Sequence, residues 1–315
     1  MSSSEFVARF AQADASTKAR LEAGCKFINH KIDELRRQFL LISTLVLIAA
    51  FVLWQATGLD FRIPLVTSAL LIGFTHMRAQ RELARWYKRM VTHRVVDAAG
   101  HDLKYSQESS FDRAHFRAID LFRERIDQWK SEDQITGRRN AVEYALHEVR
   151  ASRREQQGKR TRTVTVFRGI VAVLEFNKHF FGHTVVVPAR DGKLLGGLLG
   201  DANSRGDKQL VGLPDPEFEN VFAVYSSDDQ EAHYLLTPKL IELVRHARGR
   251  FGDIRLAFYQ SSLYITVPSN RDRFEVGLFG KVTPATALNE LADVVGLAEQ
   301  LIDVLDLETR IWTRT

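Results

Sequence analysis

Between Asp215 and His233 the chain gathers Asp215, Glu217, Glu219, Asp228, Asp229, Glu231 and His233 within 19 residues. Carboxylates supply hard oxygen ligands for a divalent cation, and a carboxylate beside an imidazole can move protons. The candidate catalytic set is Asp228, Asp229, Glu231 and His233. On a strand, Asp229, Glu231 and His233 would share one face, because side chains alternate with period two. A structural role competes with this chemistry. Asp215-Pro216 suits a turn, and Phe218, Phe222 and Tyr225 suit a core. The remaining acids would precede a helix opening at Thr237-Pro238, where negative charge meets the positive end of the helix dipole. No fixed ligand spacing such as His-Glu-x-x-His occurs, so the structural role is favoured and no metal ligand is assigned.

Other groups point less sharply to chemistry. Gly196, Gly197 and Gly200 are not followed by the Gly-Lys-Ser/Thr ending of a phosphate loop. No Gly-x-Ser-x-Gly elbow or kinase signature is present, and no cofactor is predicted. His179 and His183 flank Phe-Phe-Gly in an expected turn. The single cysteine, Cys25, excludes an internal disulfide; in a helix it is read as a small buried residue.

The elements that would position these groups form an α+β domain over residues 101–315, with a mainly antiparallel sheet and flanking helices. Residues 111–127 suit a short helix. Strands are predicted at 141–150, 164–176, 184–187 and 218–225, with 254–260 and 263–267 paired about Ser261-Ser262. The polar, basic stretch 151–162 is predicted as a hairpin loop or exposed edge, and the Gly-rich stretch 194–207 as irregular. Thr237-Pro238 and Thr283-Pro284 each combine an N-cap with a first-turn proline. The last helix carries Leu288, Leu291, Val294, Val295, Ala298, Leu301, Ile302 and Leu305 at a period near 3.6.

The N-terminal third differs in kind. Gln38–Leu59 is uncharged over 22 positions, about 33 Å as a helix and enough for a hydrocarbon core of about 30 Å. Asp60-Phe61-Arg62 interrupts, Pro64 suits the first turn of a new helix, and Ile63–Met77 is uncharged over 15 positions. That second run is short for a span, and Phe61, Arg62 and Arg78 would extend it. A transmembrane hairpin over 38–77 is therefore predicted, with spans at 38–59 and 63–77. Residues 1–37 form a charged amphipathic helix before it and contain no secretory signal. Residues 78–100 form a basic juxtamembrane helix after it.

Arg78, Arg81, Arg85, Lys88, Arg89 and Arg94, together with Lys31, Arg36 and Arg37, load one side of the hairpin with positive charge. The intervening loop holds one arginine. The positive-inside bias places both termini in the cytoplasm and the domain at a bacterial inner membrane. The cluster also accounts for a net charge of +5 and a pI near 9.3, and it suits anionic phospholipid headgroups. Nucleic acid is not predicted as a partner, because topology already explains the basic residues. The uncharged spans disfavour a transport pathway.

The stretch Asp215–Val244 resembles the signature of a bacterial membrane protein family, domain of unknown function 3137. The matching pieces are Asp215-Pro216-Glu217-Phe218-Glu219, Phe222-x-Val224-Tyr225, Asp228-Asp229, Glu231-Ala232-x-Tyr234 and Leu236-Thr237-Pro238. Glu132-Asp133-x-Ile135-x-Gly137, Phe167-x-Gly169 and Leu307-x-x-Arg310-Ile311-Trp312 agree, so the resemblance covers most of 100–312. It implies N-terminal membrane spans, no established activity, and as partner another membrane protein, of LemA type. The expected role is an interaction or scaffold domain rather than an enzyme. The alternative is a membrane-tethered metal-dependent hydrolase using the acids of 215–233.

Overall fold

The computed structural model describes residues 15–58, 60–99, 103–158, 160–176, 179–191, 204–269 and 276–309. They fall into two units, one drawn from Arg9–Gly100 and Asp272–Leu291, the other from His101–Arg271 and Ala292–Thr315.

In the first unit α1 (Ala15–Thr57) and α2 (Arg62–Tyr87) pack antiparallel. Phe27 meets Trp86 and Phe39 meets His76, with ring centroids 5.4 and 5.5 Å apart. After α2 comes a π-helical turn, Lys88–Thr92, then α3 (His93–Ala99). Leu21, Gly24, Cys25, Ile28, Ile32 and Leu35 are the buried side of α1, a helical spacing of three and four residues. They share their unit with buried Ala79, Leu83, Tyr87, Val91 and Val95. Gly24 permits a close crossing, since a Cβ there would lie 2.5 Å from the Met90 carbonyl oxygen. Cys25 is buried, as expected of a small apolar residue, and burial raises its thiol pKa to about 11. The predicted helical residues 4–14, and Leu59, lie outside the described residues.

Among the described residues the second unit holds a ten-stranded sheet, every pairing antiparallel, in the order β1-β2-β3-β4-β10-β9-β5-β8-β7-β6. The strands are β1 (Lys104–Glu108), β2 (Gln128–Arg139), β3 (Val142–Gln157), β4 (Arg160–Glu175), β5 (Thr184–Pro188), β6 (Ser204–Arg205), β7 (Lys208–Val211), β8 (Phe222–Ser226), β9 (Arg255–Tyr259) and β10 (Ser262–Pro268). The α+β class is thus as the sequence indicates. One face is covered by the segment 111–126, which includes α4 (Arg113–Ala118). Phe111, Phe116, Ile119, Leu121 and Ile126 pack there on Val149, Val171, Val185, Ala257 and Tyr264. Toward the opposite face, Tyr144 donates to Glu299 at 3.1 Å and Arg139 pairs with Asp303 at 2.9 Å, both acids lying on α8 (Pro284–Thr309).

Three expectations about this unit are corrected. The hairpin expected at 151–162 is present, but its loop shrinks to the turn at Gly158, φ +61°, because β3 and β4 pair from Glu143↔Glu175 to Gln157↔Arg160. Pairing between the strands carries the extension beyond the core, although its side chains are mostly exposed. Phe218 belongs to α5 (Pro216–Glu219), not to the strand that starts at Phe222. β9 and β10 form the expected hairpin, but its turn is Gln260-Ser261, one residue before the predicted Ser261-Ser262, with Gln260 at φ 56°.

The resemblance motifs have local structural explanations. Asp133 sits at a bulge in β2 with φ 53° and accepts a hydrogen bond from the Tyr105 hydroxyl. Ile135 is fully buried. A Cβ on Gly137 would fall 2.5 Å from the Tyr144 ring, and one on Gly169 would fall 2.1 Å from the Val267 carbonyl oxygen. Residues 192–203, and Arg310, Ile311 and Trp312 of the closing motif, lie outside the described residues.

Candidate functional site

The acidic segment folds as two short helical turns around a strand. Asp215 caps α5 by accepting from the Phe218 N–H at 2.9 Å, and Pro216 occupies its first turn. Glu219 turns back to accept from the Leu213 N–H at 2.7 Å, and Glu217 pairs with Arg245 at 2.6 Å. Residues 229–235 form helix α6 (Asp229–Leu235), not a strand, and Asp228 caps it by accepting from the Glu231 N–H at 2.9 Å.

The expected shared strand face of Asp229, Glu231 and His233 is therefore absent. On a helix, positions 229 and 233 are one turn apart, and position 231 points elsewhere. Asp229 and His233 approach to 3.8 Å, both exposed. The Glu231 carboxylate instead accepts from two successive backbone N–H groups, Phe181 at 3.0 Å and Gly182 at 2.6 Å. It thereby pins the turn between β4 and β5. Among the described residues no three His, Cys, Asp or Glu side chains converge as a metal site would require. Tyr234 is exposed, Tyr225 lies in the core, and Thr237 caps α7 (Pro238–Phe251) through the Leu240 N–H at 3.4 Å.

The basic cluster has a different geometry. Arg78, Arg81, Arg85 and Arg89 are all exposed, and at 100° per residue they form one stripe on the outer side of the helix. Arg89 also lies 5.5 Å from the centre of the Trp86 ring, and Lys31 of α1 lies 6.0 Å from it. Two members of the predicted set leave the stripe. Lys88 is buried within the π-helical turn, and Arg94 donates to the Arg20 carbonyl at 2.8 Å. Lys88 faces the packed side because it continues the buried row of Ala84, Val91 and Val95, whereas Arg94 is half-buried and reaches across to α1.

Directly beyond the stripe, burial stops. Leu40, Leu41, Leu45, Leu47, Ile48, Phe51, Val52 and Leu53 of α1 are exposed, as are Ile63, Leu65, Val66, Leu70, Leu71, Phe74 and Met77 of α2. Among the described residues α1 is the helix long and apolar enough to cross a bilayer, and none of its apolar window is buried by protein. The charge-free run of α2 is shorter, as its 15 residues imply. Ordinary soluble surfaces do not carry a continuous apolar area of this extent.

One polar pair was not legible in the sequence. The Ser109 hydroxyl lies 2.9 Å from His147 Nδ1 and 2.7 Å from Ser131 Oγ, and Phe111 stacks on the imidazole. His147 lines a cavity of about 650 Å3 together with Lys104, Gln134, Tyr144 and Tyr264. A serine against a histidine can be a nucleophile with its base. Here burial pulls the imidazole pKa down to about 4, which makes it a weak base at neutral pH. Its Nδ1 also faces the hydroxyl rather than an orienting carboxylate. The pair instead ties the segment before α4 to the sheet.

Among the described residues, one unit of ten antiparallel strands with flanking helices and one helical unit with an uncovered apolar band define an α+β protein with a helix long and apolar enough to cross a membrane. The family model described as protein of unknown function, DUF3137, matches residues 165–307, so the resemblance read from the 215–244 motif holds over that stretch. A similar solved structure is the crystal structure of the mycobacterial trehalose monomycolate transport factor A, TtfA. It is 13% identical, with 70% of this chain and 95% of that chain covered and a TM-score of 0.38. A superposition that loose transfers nothing to this chain. No curated protein matches it.

Proposed function

We propose that the chain is a membrane-anchored scaffold. Residues 38–59 and 63–77 form a two-span hairpin, and both termini lie on the arginine side, the cytoplasmic face of a bacterial inner membrane. The sheet unit serves there as a non-catalytic interaction domain. The carrying observation is the abrupt loss of burial along α1: Leu21, Ile28, Ile32 and Leu35 are buried, whereas the apolar window that follows is 0% buried. Side chains so apolar need a solvent other than water, and every backbone group in a helix is already paired for lipid. The exposed stripe of Arg78, Arg81, Arg85 and Arg89 supports anionic headgroups as the adjoining partner. Another membrane protein, of LemA type as the family resemblance implies, is the proposed protein partner.

The hydrolase alternative gains no support, because Asp228, Asp229, Glu231 and His233 diverge into a cap, a surface pair and a backbone clamp. The test is fractionation of detergent-free lysate. The full-length chain should pellet with membranes and resist alkaline extraction; recovery in the high-speed supernatant would end the proposal.

A further inference from the structure

Phe279 is 62% exposed at the tip of a loop whose flanks are buried. The loop, residues 276–283, lies in the helical unit and is fastened to α1 by one side chain. Asn29 donates to the Val282 carbonyl at 2.7 Å and accepts from the Val282 N–H at 2.9 Å. Leu278 and Val282 are buried on either side of the tip, with 0% and 4% exposure. An exposed phenylalanine held between two anchored residues is presented, not merely left over.

Its height along α1 gives the presentation a direction. Phe39 lies about 15 Å along the helix from Asn29, and the Phe279 ring reaches it, centroids 6.4 Å apart. Phe39 in turn meets His76 at 5.5 Å. These rings mark the boundary where the exposed run from Leu40 begins and where α2 passes from Met77 to Arg78. Lys281 is exposed two residues from the ring, and Arg37 and Arg78 are exposed beside the same boundary. An aromatic tip beside cations, level with the edge of an apolar band, is the composition of an interfacial anchor.

We propose that the 276–283 loop is a third membrane contact, with Phe279 inserting at the boundary between headgroups and acyl chains and Lys281 meeting anionic headgroups. This rests on the hairpin proposal. The occupant is lipid rather than protein because the tip continues the edge of the uncovered band.

Spin labels on full-length protein test it in vesicles of phosphatidylethanolamine and phosphatidylglycerol. Cys25→Ala removes the native thiol, and Leu45→Cys, Phe279→Cys, Lys281→Cys and Leu210→Cys carry the label one at a time. Leu45 should be reached by oxygen and shielded from a water-soluble nickel chelate, and Leu210, on β7, should show the opposite. Labels at 279 and 281 should fall between, with collision with the chelate at 279 reduced several-fold relative to 210. If 279 and 281 match 210 while 45 is shielded, the loop proposal fails and the hairpin stands. If 45 itself matches 210, the hairpin proposal fails first.

Discussion

Two charge-dense stretches of this chain look equally promising as one-dimensional text, yet they end in opposite conditions. In the segment 215–233 each acid meets a partner close by in the fold: Asp215, Glu219, Asp228 and Glu231 accept backbone N–H groups, and Glu217 and Asp229 meet a cation or imidazole. Along 78–89 the fold turns Arg78, Arg81 and Arg85 outward, and among the described residues none of the three is paired with a carboxylate. The density of charge is therefore a poor guide to a binding surface. What decides is whether the backbone nearby has a free group of the complementary kind: helix starts and turns offer orphan N–H donors to a carboxylate, whereas an arginine needs a free carbonyl, and the middle of a continuous helix offers none.

The largest effect that would sharpen this contrast concerns orientation. Replacing Arg78, Arg81, Arg85 and Arg89 together with glutamine removes four cations, each worth about 1 kcal/mol beside an anionic leaflet. A reporter fused after Thr315 should shift from wholly inside to a mixed population, while the melting of the sheet unit stays unchanged. A reporter that remains wholly inside would show that the stripe does not set topology. The same four-fold change made in the acidic segment should leave orientation untouched.

Acid provides the next test, because it charges a buried imidazole. His147 is 3% exposed, and burial lowers its pKa from 6.5 to about 4. A histidine whose folded pKa lies below its unfolded value contributes stability above the unfolded value and loses it as pH falls toward the folded one. The window is thus pH 6.5 down to 4, with a loss of about 3 kcal/mol at its lower end. Melting curves in detergent should flatten over that window in His147→Gln. An unchanged slope would mean that acid acts elsewhere.

Much of the fold was readable because its signals are local. Thr237-Pro238, the β9–β10 turn and the periodic final helix each declare themselves within a few residues. Helix α6 was equally declared, by Asp228 followed three residues later by Glu231, the pattern of an N-cap with a first-turn acid; the spacing of Asp229, Glu231 and His233 by two fits a strand as well. The long ends of β3 and β4 were not readable, since residues such as Arg153, Glu155 and Gln156 have no apolar alternation and pair only because a partner strand lies opposite. The Ser109–His147 contact and the approach of Phe279 to Phe39 likewise join residues far apart in sequence. Local pattern carries no information about such meetings.

Glu231 gives a smaller effect and tests the consumed half of the comparison directly. Its carboxylate holds the Phe181 and Gly182 N–H groups, and hydrogen bonds to a charged group are worth about 1.5–3 kcal/mol. Partial exposure of the site brings the expectation for Glu231→Ala to about 2 kcal/mol, with Glu231→Gln near half of that because one acceptor oxygen survives. Vesicle association of both variants should equal that of the parent. A change in association without a change in melting would reclassify Glu231 as a contact residue.

Asp229 should matter least, and for that reason it discriminates best between scaffold and hydrolase. Its contact with His233 is long at 3.8 Å, and both side chains are exposed, so the pair belongs to the class worth between zero and about 1 kcal/mol. Asp229→Ala should melt with the parent, whereas Asp228→Ala, which removes the cap of α6, should lose about 1 kcal/mol. Elemental analysis of the purified proteins adds the decisive column. If the parent carries a stoichiometric divalent ion that Asp229→Ala loses, the carboxylate does chemistry in the native membrane, and the contrast between absorbed and displayed charge breaks at that residue.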